Sequence, residues 1–140
     1  DEEIGKAGDI DTAIVTLTFA NGAIGVIDNS RKAVYGYDQR VEVFGSEGCA
    51  QAENDTPSTV KLSNADDVKS DKPLYFFLER YKDAFVDEIS AFADAILTDG
   101  EVLVDGMDGI EDMVAALAAG KSLKEGRTVT IAEMKVELGL

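Results

Sequence analysis

Histidine is absent from all 140 residues, and no other feature of the composition removes more chemistry. No Ser-His-Asp or Cys-His nucleophilic site can be assembled from this chain, and the commonest protein metal ligand is missing with it. Any general base has to be a carboxylate, a lysine or a tyrosine, or come from elsewhere. Cysteine is nearly absent too: Cys49 stands alone, which excludes an internal disulfide and a cysteine-based metal cluster. No apolar run approaches the ~20 residues of a membrane span, and the opening DEEIGKAGD lacks the basic and apolar regions of a signal peptide. The expectation is a chain that is neither secreted nor membrane-bound and works in the cytoplasm. Basic residues are scarce, 13 against 28 acidic ones, for a formal net charge of -15. That balance repels a phosphate backbone, so nucleic acid is a poor partner, and the acidic excess reads as solvated surface rather than a cation site.

What is present is 45% hydrophobic residues, enough for one compact domain of this length. DTAIVTLTF at 11–19 and AIGVIDNS at 23–30 alternate β-branched and polar residues around ANG, which predicts a hairpin with a type I′ turn at Asn21-Gly22. Its register is expected to rest on packing of Ile14, Leu17 and Ile24. Further strands are predicted at 39–45, 49–53 and 58–64, five antiparallel strands in succession. The period then changes. Leu78, Tyr81, Phe85, Ile89, Phe92 and Ile96 recur at three or four residues, the pattern of one long amphipathic helix from Leu78 to Thr98 that Asp99-Gly100 ends. A second helix is predicted over 108–124, with Gly126 stopping it before a strand RTVTI at 127–131. Strands followed by helices give an α+β domain, an open, mainly antiparallel sheet with helices packed on one face. Both parities of the first two strands are apolar, so the other sheet face calls for a partner, and a homo-oligomer through that face is expected.

Gly45 and Gly48 in VFGSEG, with no following lysine or helix, read as a hairpin turn rather than a phosphate loop. The carboxylates of 79–94 lie opposite the apolar stripe and read as solvated, and Lys82 and Lys121 carry no catalytic claim. The aromatic and cationic residues are different. AVYGYDQR places Tyr35, Tyr37 and Arg40 just ahead of a strand, and KPLYFFLERY brings Tyr75, Phe76, Phe77, Arg80 and Tyr81 together at a helix start. Tyr and Arg supply donors suited to a ring of hydroxyls. If residues 35–37 are extended, Tyr35 and Tyr37 share a face while Arg40 faces away and pairs with Asp38 or a helix carboxylate. Strand packing of the tyrosines is the competing explanation. Asn29, Ser30 and Arg31 end the preceding strand and also border this region.

RVEVFGSEGCAQAEND, with strand, Gly-x-x-Gly and strand, resembles the C-terminal domain of the Gfo/Idh/MocA oxidoreductases, and the stretch from Glu79 to Ile131 resembles that family's final helices and strand. YGYDQR together with PLYFFLERY is similar to its inositol-dehydrogenase branch, and the resemblance runs from about Asp9 to Ile131. It implies a C-terminal fold of the dihydrodipicolinate-reductase or glyceraldehyde-phosphate-dehydrogenase kind. In the intact enzyme it implies NAD, an N-terminal Rossmann domain and a small polyol substrate, with hydride transfer from the substrate to NAD. The Rossmann fingerprint, the Glu-Lys-Pro lysine and the Asp/His pair of that family have no counterpart here. By resemblance, then, residues 11–140 are a substrate-binding and oligomerisation domain with no catalytic, cofactor-binding or metal-binding residue of its own, inactive alone. Residues 1–10 are a linker or cut end. The substrate-binding residues implied are Tyr35, Tyr37, Tyr81 and Arg80. The alternatives are a related sugar or polyol dehydrogenase, or a free-standing sheet-based binding or assembly module, which the sequence upstream of Asp1 separates.

Overall fold

The computed structural model describes all 140 residues, and the chain divides into two compact units, Asp1–Glu88 and Ile89–Leu140, where its length predicts one. The elements are α1 (Glu2–Lys6), β1 (Thr12–Thr18), β2 (Ile24–Ser30), β3 (Val41–Gly45), β4 (Gly48–Ala52), β5 (Lys61–Ser63), β6 (Val68–Ser70), α2 (Phe77–Arg80), α3 (Lys82–Thr98), α4 (Gly106–Glu125) and α5 (Ile131–Leu138). The class is α+β with antiparallel strands, as the pattern predicts. Residues 1–10, expected to be a linker or cut end, include a short helix. Asp1 accepts from the Glu3 amide at 3.0 Å and nucleates α1, whose acidic first turn suits a helix N-terminus.

The strands form three separate two-stranded ladders, β1-β2, β3-β4 and β5-β6, rather than one meander. In the first, Thr12 pairs Ser30 and Thr18 pairs Ile24. Its turn is not type I′, because Asn21 keeps a negative φ. Phe19 and Ala23 close a three-residue connection in which only Gly22 is left-handed, at φ 86°. A type I turn followed by a left-handed glycine is the usual three-residue solution. Alternation also corrects the expected packing: Ala13, Val15 and Leu17 form the half-buried face, while Ile14 and Ile24 lie on the opposite one. That opposite face is uncovered, with Ile14 70%, Ile24 72% and Val26 63% exposed. No residue of the first unit is fully buried.

β3 and β4 meet through a two-residue connection, Ser46-Glu47, with Gly45 paired to Gly48, so these glycines make a hairpin. The segment 58–64 supplies only the short β5. The long amphipathic stretch is broken at Tyr81, whose ψ of 12° separates α2 from α3. Asp99, with φ 51°, and Gly100 end α3 as expected.

In the second unit α4 begins with a reciprocal cap. Asp105 accepts from the Met107 amide at 2.7 Å, and Asp108 accepts from the Asp105 amide at 2.8 Å. It ends on left-handed Gly126, φ 64°. The predicted strand 127–131 is instead a loop and a helix start, because Thr130 accepts from the Glu133 amide at 3.1 Å and caps α5. That Thr-x-x-Glu spacing is a helix signal that outweighs the β-branched run. Val114 and Ala118, one turn apart on α4, pack on Met134 of α5 with Ile110 and Val129 alongside. Charges close the rim. Lys121 reaches Glu125 at 3.6 Å, Glu133 at 3.4 Å and Glu137, while Arg127 donates to Glu133 at 2.9 Å and pairs with Glu125 at 2.6 Å. No helix is long and apolar enough to cross a membrane.

The Arg127 guanidinium holds the Glu133 carboxyl down to about 2 from its ordinary 4.5, with Lys121 adding to the effect. A depressed carboxyl stabilises the fold above its unfolded value and loses that contribution as pH falls through its folded one. The helical circular-dichroism signal is therefore expected to weaken between about pH 4.5 and 2. Glu133→Gln should shrink that acid limb, and identical acid titrations for variant and parent would remove the rim from the account.

Candidate functional site

The break between β2 and β3 is where the chemistry gathers. A cleft of about 970 Å³ separates the two strands, bordered by Asp28, Asn29, Tyr35, Asp38, Arg40 and Gln51 among others. Four carboxylates, Asp28, Asp38, Glu42 and Glu53, face it against two cations, Lys32 and Arg40. Such a lining offers acceptors and donors to hydroxyls and repels phosphates or carboxylates.

Asp38 is the centre of one wall. It accepts from Nε and Nη2 of Arg40 at 2.8 and 3.0 Å, from Nδ2 of Asn54 at 2.7 Å, and from the Tyr35 hydroxyl. The Arg40 guanidinium beside it, with Tyr35 and Asn54 adding, holds its carboxyl well below the usual carboxylate range. The same bonds raise Arg40 and push the Tyr35 phenol up. Asn54 in turn accepts from the Gln39 amide at 2.7 Å, tying the lead into β3 to the segment after β4.

Tyr35 and Tyr37 do not share a face. Gly36 has φ 144°, so the backbone reverses between them instead of running extended. A Cβ there would meet the Pro73 carbonyl oxygen at 2.7 Å, and the Tyr37 amide donates to the Leu74 carbonyl at 2.8 Å. Only glycine permits this approach. The clasp is held from the far side as well, since the Leu74 amide donates to the Asp55 carbonyl at 3.0 Å and Arg80 Nη1 donates to the Asp55 carboxylate at 2.8 Å.

The outcome splits the four sequence-predicted residues. Tyr35 borders the cleft. Tyr37, Tyr81 and Arg80 meet away from its lining: the tyrosine rings stand edge to face with centroids 5.6 Å apart, and the Arg80 guanidinium lies 5.8 Å from the Tyr81 ring. Burial, and then the Tyr37 phenol, push the Tyr81 phenol up. Nε of Arg80 is buried without a protein partner. Arg40 is paired with Asp38 yet still borders the cleft. Asn29 and Ser30 line it, whereas Arg31 is paired with Asp9 at 2.6 Å. The Arg40–Asp38 pair is as the sequence predicts; sequence reasoning passed over Asn54, because nothing in YGYDQR or AEND marks Asp38 and Asn54, sixteen residues apart, as partners.

No residues here fit a nicotinamide dinucleotide. The Gly45/Gly48 pair is committed to a hairpin, and neither a strand nor a Gly-x-Gly-x-x-Gly turn leads into a helix N-terminus.

Residues 1–131 match the family model described as "Oxidoreductase family, C-terminal alpha/beta domain". The myo-inositol 2-dehydrogenase of Thermotoga maritima is 50% identical over 134 residues, 96% of this chain and 40% of the relative. Among solved structures, a probable dehydrogenase from Thermotoga maritima superposes with TM-score 0.92 at 50% identity, covering 96% of this chain and 40% of that one. A scyllo-inositol dehydrogenase from Lactobacillus casei, solved with bound NAD(H) and scyllo-inositol, gives TM-score 0.82 at 26% identity, covering 92% of this chain and 38% of that one. The chain thus spans about 40% of the length of the curated relative it matches.

Gly36→Ala tests the clasp. It is expected to cost about 1 to 3 kcal/mol in thermal denaturation and to weaken the near-ultraviolet dichroism of the tyrosines as Tyr37 leaves Tyr81. An unchanged melt and spectrum would mean that the loop is not held this way.

Proposed function

The chain belongs to the Gfo/Idh/MocA oxidoreductase family as its C-terminal alpha/beta domain, and on that premise we propose that it is the substrate-binding and oligomerisation domain of an NAD-dependent inositol 2-dehydrogenase. The proposed reaction of the intact enzyme is oxidation of myo-inositol at its C2 carbon to the 2-keto product. The observation that carries this reading is the cleft between β2 and β3, rich in hydroxyl partners and with more carboxylates than cations, which suits a neutral polyol better than a phosphorylated one. NAD and the groups that move the hydride and proton belong to an N-terminal Rossmann domain, a reading supported by this chain's spanning about 40% of the length of its curated relative. Tyr35 contacts the polyol, and Tyr37, Tyr81 and Arg80 form a second wall against which the loop 34–38 is set.

A substrate panel on the full-length enzyme tests this. We expect myo-inositol to be oxidised in preference to other stereoisomers and to inositol phosphates, and a preference for a sugar would move the chain to a sister dehydrogenase. Tyr35→Phe should raise KM for the polyol while KM for NAD stays fixed. Tyr37→Phe and Tyr81→Phe keep their ring packing and should raise it less; the reverse order would place the polyol on their side of the loop.

The uncovered face of β1 and β2 supports the oligomerisation part of the proposal. Ile14, Ile24 and Val26 form an apolar strip that a second copy of the same face can bury. Light scattering of the full-length protein at micromolar concentration is expected to give a mass above the monomer, and Ile24→Asp, on that face but outside the cleft lining, to lower it.

A further inference from the structure

We infer that Arg40 is a polyol-binding residue and that Asp38 is the positioning residue that aims it. This rests on the reading of the β2/β3 cleft as the polyol site. A carboxylate has about four lone-pair positions for donors. Asp38 fills its capacity with Tyr35, Asn54 and two bonds from Arg40, so it has no acceptor left for a ligand. Its side chain is only 14% exposed, whereas that of Arg40 is 60% exposed at the cleft.

The donors that remain define what the site can hold. Arg40 spends two of the five guanidinium N–H groups on Asp38, leaving three on a fork whose plane Asp38 has set. Tyr35 borders the cleft and gives its proton to Asp38, which leaves its oxygen able to act only as an acceptor toward a ligand. A planar set of donors beside a single acceptor matches two adjacent hydroxyls, one accepting from the fork and one donating to the phenol oxygen. An isolated hydroxyl satisfies only half of it. The surrounding carboxylates make the same fork a poor place for a phosphate, since Asp28, Glu42 and Glu53 share the cleft. The two residues thus select a neutral ligand with vicinal hydroxyls.

The test uses the full-length enzyme with Arg40→Ala, Arg40→Lys, Asp38→Asn and the double variant Asp38→Asn/Arg40→Ala. Arg40→Ala should raise KM for inositol about ten- to a hundredfold, the worth of a hydrogen bond from a charged group, with KM for NAD unchanged. Arg40→Lys keeps the charge but loses the fork, and should behave like Arg40→Ala. Asp38→Asn turns an acceptor into a donor facing Arg40 and should raise the same KM. The double variant should then be no worse than Arg40→Ala alone by more than about twofold, because both changes break one linkage. A deoxy-inositol lacking the contacted hydroxyl should show the same KM in parent and Arg40→Ala. A KM within twofold of the parent in both Arg40 variants overturns the assignment. So does a parallel rise in KM for NAD, which a loosened domain would produce. A parent enzyme that oxidises no polyol overturns the functional reading as well, whereas an active parent with unaffected variants overturns this inference alone.

Discussion

A carboxylate that has filled its lone pairs with protein donors cannot also serve a ligand, and the wall of the β2/β3 cleft is arranged around one such group. Asp38 gathers a phenol, a guanidinium and an amide from three points of the chain. Each bond is charge-assisted, which makes it shorter and stronger than a neutral one. Without that anion Arg40 would be a free surface cation, and the Tyr35 hydroxyl would lose its acceptor. Asn54 extends the arrangement to the backbone at Gln39, so the lead into β3 is fixed along with the side chains.

The second constraint is the close approach at Gly36. A positive φ and a carbonyl too near for any Cβ reverse the chain between two tyrosines that sequence parity places on one face. The reversal sends Tyr35 toward Asp38 and Tyr37 toward Tyr81, so one short loop serves two environments. Parity arguments hold only for extended backbone, and a single glycine ends their validity.

The α+β class, the first hairpin and the positions of α3 and α4 were legible because each rests on local periodicity and on punctuation such as Asp99-Gly100 and Gly126. The capped start of α5 was legible in principle, since Thr130 and Glu133 have capping-box spacing, but the β-branched run before them suggested a strand. The separation of β2 from β3 was not legible. Alternation reports which residues suit a strand and says nothing about which strand lies beside it. The same limit explains the uncovered face of Ile14, Ile24 and Val26: their apolar character is local, whereas what covers them is not.

By itself the sequence determined the chemistry available: no histidine, one cysteine, an acidic balance and a cluster of tyrosines and arginines before β3 and α3. Residue types and short periods are local quantities, so composition and spacing suffice to state them. Only the tertiary structure decided that Asp38 and Asn54, sixteen residues apart, meet, that Tyr37 packs on Tyr81, and that Arg80 reaches the Asp55 carboxylate. Those are long-range pairings, set by where the chain folds back on itself at Gly36 and Leu74, and no local pattern encodes a distance between segments.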